Sequence, residues 1–216
     1  MQSLQILYNY WNEVRADRLA PQRLEIEPSR IAGILSQTFM LEWVDRGTYP
    51  YRLAGTRVCE MFGSELRGKN FLDGWDEEDR RVLEGHLATI CAQGAVAQLF
   101  LEGVLDARRR VEFGANLLPL YHAGKITRLI GAMSATSAPH WLGLEPLRSR
   151  RLKQHRLIWP DGRPAVGAIG ANGEPRPASP APGAPALPSP VRVLKADQPR
   201  LRVVEGGRAS TTYDKR

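Results

Sequence analysis

The apolar residues of this chain change period along its length, from helical to two, back to helical and then to two again. That order leaves few folds open. Leu4, Leu7, Tyr8, Trp11 and Val14 recur at helical spacing, with Gln5, Asn9, Asn12 and Glu13 opposite them. The chain therefore opens on an amphipathic helix, which Ala20-Pro21 closes. Pro28 suits a first helical position, and Ile31, Ile34 and Leu35 give a short second helix its stripe. Phe39, Leu41 and Trp43 then alternate with Met40, Glu42 and Val44. After the turn Arg46-Gly47-Thr48, Tyr49, Tyr51 and Leu53 alternate in the same way, making a hairpin whose second strand is limited by Pro50.

Helical spacing returns with Val58, Met61 and Phe62, ended by Gly63. A connector carrying Leu66, Gly68, Phe71 and Trp75 leads to Asp76, which starts a longer helix with Asp79 three residues on, like an acidic capping box. Val82, Leu83, Leu87, Ile90 and Cys91 form its stripe, and Gly94 closes it. Three strand-like runs follow, Val96–Leu105, Val111–Leu120 and Ile126–Ala135, with turns short enough for an antiparallel meander. A sheet with one apolar face and helices with one stripe each bury one another. The pattern thus predicts an α+β fold, a five-stranded antiparallel sheet over 37–138 with helices on one face, preceded by a helical extension over 1–36.

Beyond Pro139 the composition shifts. Residues 139–159 read as a short basic helix, and 160–199 hold 10 of the chain's 16 prolines. So few large apolar groups cannot offset the entropy of ordering, which predicts a Pro-rich disordered tail over 160–216. Charge divides at the same place. Residues 142–216 carry 14 Lys and Arg against 6 Asp and Glu, whereas 1–141 carry 16 against 17. The folded part therefore has no general field for drawing in phosphate backbones.

Other classes fall away. No apolar run approaches the ~20 residues of a membrane span, and the first residues lack the basic start and apolar centre of an export signal, so the chain reads as cytoplasmic. Cys59 and Cys91 are distant in sequence and read as reduced thiols. There is no Gly-rich phosphate loop, metal-ligand spacing or nucleophile elbow, and Asp76–Asp79 are consecutive acids at a helix start. The chain is expected not to be an enzyme.

Two stretches offer interaction surfaces. Leu4, Leu7, Tyr8 and Trp11 form a stripe that packs either on the domain itself or on a second copy of the chain, as a homodimer interface. Arg148, Arg150, Arg151, Lys153 and Arg156 place five cations in nine residues. That basic segment reads either as a solvated charge run or as a binder of nucleic acid or an anionic membrane surface.

Certain phrases are more specific. Glu65-Leu-Arg-Gly68-Lys-Asn-Phe71-Leu-Asp73 followed by Asp76-Glu-Glu-Asp79-Arg80 resembles the connector and helix start of PAS domains. Tyr10-Trp11 with Arg15, Pro21, Arg23, Pro28 and Ile31 resembles the start of the PAS_5 family, as do Tyr51–Thr56, Phe62-Gly63, Leu117–Leu120 and Leu129–Gly131. The resemblance covers about 1–138. One departure is Asp106-Ala107-Arg108, where the family often has Asp-Gly-Arg, since Ala resists a positive φ. The resemblance implies a sensor and interaction module working through protein partners, whose small-molecule ligand, when present, lies between sheet and helices. Tyr51 and Trp75 read either as pocket-lining aromatics or as simple core, Arg52 and Asn116 either point a polar group at a ligand or face solvent, and His86 is the fifth pocket candidate. His86 is either an axial haem ligand or a boundary histidine bonded to a carbonyl or water.

Overall fold

Residues 1–162 are described in the computed structural model. The opening periodicity becomes helix α1 (Gln2–Arg15), whose Leu7, Tyr10 and Trp11 are buried. It ends where Ala16 takes a positive φ of 51°, four residues before Ala20-Pro21. Pro28–Gln37 forms a 3-10 segment burying Ile31 and Ile34. The hairpin is β1 (Thr38–Glu42) and β2 (Tyr51–Ala54). Next come α2 (Thr56–Phe62) and α3 (Glu77–Gln93), each closed by a left-handed glycine, Gly63 at φ 61° and Gly94 at φ 67°. Strands β3 (Val96–Val104), β4 (Arg110–His122) and β5 (Lys125–Ala135) make the expected meander.

The sheet is antiparallel throughout and its strand order is β2-β1-β5-β4-β3-β6. The last member, β6 (Ser149–Ile158), was not among the expected strands. It occupies the stretch read as a short basic helix, so that expectation is corrected, and five strands become six. Uncovered, β3 would present a row of unpaired backbone groups, and β6 pairs with it along its full length, Val96 with Ile158 through Val104 with Ser149. Its two-residue period was hidden in the sequence. A bulge opposite Phe100/Leu101 breaks the alternation at Lys153, and charged side chains fill much of both faces.

A second correction concerns the layers: helices cover both faces of the sheet. Phe39, Leu41, Tyr51, Leu99, Leu101, Phe113, Ala115, Leu117 and Leu129 pack with Val58 and Phe62 of α2, with Leu66, Phe71 and Leu72 of the connector, and with Leu83, Leu87 and Ile90 of α3. Val96, Leu118, Leu120, Ile126, Ile130 and Ala132 form the other cluster, with Leu7, Tyr10 and Trp11 of α1 and with Ile31 and Ile34. Of the two uses open to the α1 stripe, it takes the first and packs on its own domain. Leu7 and Trp11 are fully buried, and Leu4 and Tyr8 are partly buried on the same cluster. The clue was β4 itself, because a strand buried on both sides reads as an unbroken apolar run, here Leu117-Leu118-Pro119-Leu120.

The Asp106-Ala107-Arg108 turn closes without a positive φ at Ala107. Asp106 builds it instead, its Oδ1 accepting from the backbone N–H groups of Arg108 and Arg109, both at 2.9 Å. These bonds, with the Arg109 guanidinium, lower the Asp106 carboxyl to about 2. Cys59 and Cys91 are free thiols, and burial pushes Cys91 up to about 12, which leaves it unreactive. Among the described residues no helix is long and apolar enough to cross a membrane. The expected tail lies, from residue 163 on, outside the described residues.

Candidate functional site

The five pocket candidates do not converge. Tyr51 and Trp75 share the interior between the sheet and α2–α3. Phe39, Tyr51, Phe71 and Trp75 form a chain of rings at centroid separations of 5.7 to 6.3 Å, and Phe62 stacks on Phe113 at 5.5 Å. Trp75 also donates its indole N–H to the Phe71 carbonyl at 2.8 Å. The hydroxyl of Tyr51 is fully buried beside Arg150. Burial pushes the pKa of the Tyr51 phenol up, while the charge of Arg150 and a hydrogen bond from its side chain pull it back.

Arg52 is at the surface, paired with Glu42, which also takes Arg128. Asn116 lies on the opposite face of the sheet and acts as a clamp. Its Nδ2 donates to the Leu4 carbonyl at 2.9 Å, and its Oδ1 accepts from the Ala132 N–H at 2.8 Å. A buried amide with both ends satisfied holds α1 to β4 and β5. Neither Arg52 nor Asn116 belongs to an interior pocket.

His86 faces a residue the sequence reading passed over. Its Nε2 is 2.7 Å from Nδ1 of His155 on β6, with the ring centroids 4.7 Å apart. Further ties run along the seam between β6 and the α3 side of the chain. The Leu152 N–H donates to Oδ2 of Asp79 at 2.7 Å, and the Arg150 N–H donates to the Gly74 carbonyl at 2.7 Å. Asp79 thus has two uses, since its own N–H is capped by Oδ1 of Asp76 at 3.0 Å while its carboxylate holds β6.

The basic residues of β6 separate in the same way. Arg150 turns inward, its guanidinium 4.5 Å from the Phe62 ring centroid and its Nη1 3.4 Å from the Phe71 carbonyl. Arg151 stands opposite Glu102 in the ladder, Arg156 bonds Gln98 at 2.8 and 2.6 Å, and Lys153 is exposed. Of the five cations, Arg150 is thus withdrawn toward the core, while Arg148, Arg151, Lys153 and Arg156 are exposed.

Burial, and secondarily the charge of His155, lowers the pKa of His86 below its ordinary 6.5. The unfolded chain therefore takes up this proton at a higher pH than the folded one. The contribution is whole above pH 6.5 and is lost as pH falls through the folded value. Urea midpoints should drop between pH 7 and 5, and His86→Gln should flatten that drop. An equal slope in the variant would show that other groups carry the acid sensitivity.

A family model described as a PAS domain, PAS_5, matches residues 1–134, which takes in α1 through β5 and stops before β6. No curated protein matches the chain. Among solved structures, a variant of RsLOV is 12% identical at a TM-score of 0.39, covering 50% of this chain and 66% of its own, just under two thirds. The LOV protein of Rhodobacter sphaeroides is 11% identical at 0.39, covering 53% and 71%. The PAS domain of an HTR-like protein from Haloarcula marismortui is 17% identical at 0.35, covering 52% and 94%.

Proposed function

Since this chain belongs to the PAS_5 family of PAS domains, we propose that it is a regulatory module that works by contact with protein partners and not by catalysis. The observation that carries this reading is the packing of the interior. Phe39, Tyr51, Phe71 and Phe113 are each at most 1% exposed and lie between the sheet and α2–α3. A haem or flavin there would have to displace several of these rings. Interiors packed at crystal density yield little without a large loss of contact energy. His86, the histidine expected as an axial haem ligand, stands against His155 instead. Any ligand of the interior is then a small one, seated beside Tyr51 and Trp75, and signalling proceeds through shifts of α3 and the sheet that a partner reads.

The test is native mass spectrometry with an absorbance scan, on full chain purified from a bacterial cytoplasm. The expected protein shows no visible band and a native mass exceeding the chain's by at most a small molecule. A Soret or flavin band would overturn the reading, because it requires a core opened far beyond the one described.

A further inference from the structure

The seam between α3 and β6 carries a feature that neither the PAS core nor the basic segment explains. Two imidazoles from different elements, 69 residues apart in sequence, turn ring nitrogens toward each other at 2.7 Å. The geometry points to a divalent transition-metal site at this seam, in which Nε2 of His86 and Nδ1 of His155 hold one ion in adjacent coordination positions.

Imidazole nitrogen suits copper, nickel and zinc. With metal–nitrogen bonds of about 2.1 Å, adjacent nitrogens stand about 3.0 Å apart in square or octahedral geometry and about 3.4 Å apart in tetrahedral geometry. Holding an ion requires both rings to turn so that their lone pairs converge on it, and the pair to open by about 0.3 Å in the first case and roughly twice that for tetrahedral zinc. The site therefore favours nickel and copper over zinc. Metal binding also requires neutral imidazole, and the burial of His86 already disfavours its protonated form.

The surroundings decide what completes the shell. One helical turn either side of His86 stand Val82, Leu83, Thr89 and Ile90, all uncharged. Beside His155, Arg156 is engaged with Gln98 and Lys153 is exposed. No group of three or more His, Cys, Asp or Glu able to hold a metal occurs among the described residues. The remaining positions fall to water and stay open to an exchangeable ligand. Such an ion would bolt β6 to α3. The strand that carries the chain out of the PAS core would then be held according to metal supply.

The experiment uses full chain, expressed without a histidine tag and stripped with chelator, titrated with nickel at pH 7.5. One ion per chain is expected, bound at least ten-fold more tightly than by His86→Ala or His155→Ala, with His122→Ala unchanged. At a free nickel concentration 100 times Kd the folding constant should rise about 100-fold. The unaltered chain gives a readout independent of any variant. Paramagnetic nickel should broaden the ring-proton signals of His86 and His155 before those of His122 and His140. Binding that survives either variant at full strength, or broadening that spares this pair, overturns the proposal.

Discussion

Replacing Trp11 with alanine is expected to cost about 4 kcal/mol of folding stability, in the middle of the range for a buried aromatic. The indole is fully buried in the cluster between α1 and the sheet, and its N–H donates to the Pro119 carbonyl at 2.8 Å. Pro119 lies beyond the end of the β3 ladder and is paired only with Leu129 of β5, so its missing N–H breaks no bond to β3. Truncation would open a cavity under α1, leave that carbonyl without its donor and remove the surface over which the Arg15 guanidinium sits at 5.4 Å. Urea unfolding followed by circular dichroism gives the number. Trp11→Phe separates the terms, keeping most of the packing and losing about 1 to 2 kcal/mol with the hydrogen bond. A loss below 1 kcal/mol for the alanine variant would mean that α1 does not dock on the sheet in solution, and would restore its stripe as a candidate dimer surface.

Ending the chain at Pro146 should be nearly as damaging, whereas ending it at Gly162 should leave the domain intact. The shorter chain lacks β6, leaving the whole edge of β3 without a partner. It also loses Leu147, Leu152 and Leu157 from the interior cluster, along with the ties to Gly74, Asp79 and His86. Three partly buried leucines and the interstrand bonds together amount to about 4 kcal/mol or more. An exposed nine-residue edge also invites pairing between copies. Size-exclusion chromatography should show self-association of chain 1–146 but not of chain 1–162, with urea midpoints falling in the same order. If both behave alike, β6 is not seated as described. This changes how a nucleic-acid or membrane role for the basic segment can be tested. Loss of binding on truncation at Pro146 would follow from unfolding alone, so charge substitutions at Lys153 and Arg151 are the sound probe.

Sequence period alone located α1 and the β3–β5 meander within a few residues. It also located α2 and α3, because each uses one face and ends on a glycine that accepts a left-handed backbone. The candidate site was far less legible. Tyr51 and Arg52 are neighbours in one strand, and only the pairing with β1, with its bulge at Met40/Leu41, sends the first into the core and the second to solvent. Asn116 lies amid apolar residues whether it lines a pocket or clamps a helix. Its role depends on Leu4, 112 residues away. His155 carried no local signal at all, since one histidine in a basic run acquires meaning only when β6 lies beside α3.

What the sequence determined by itself was therefore the order of helices and strands as far as β5, and the confinement of the net positive charge to the residues after 141. Each of these rests on local spacing or composition, which neighbours along the chain suffice to set. Tertiary structure alone decided that α1 buries its stripe on its own sheet, that a basic segment becomes the sixth strand, and that Arg150, Asp79 and the two histidines join it to the core. Those outcomes depend on which apolar face and which open strand edge find each other across long loops. That choice is made by packing the whole domain at once.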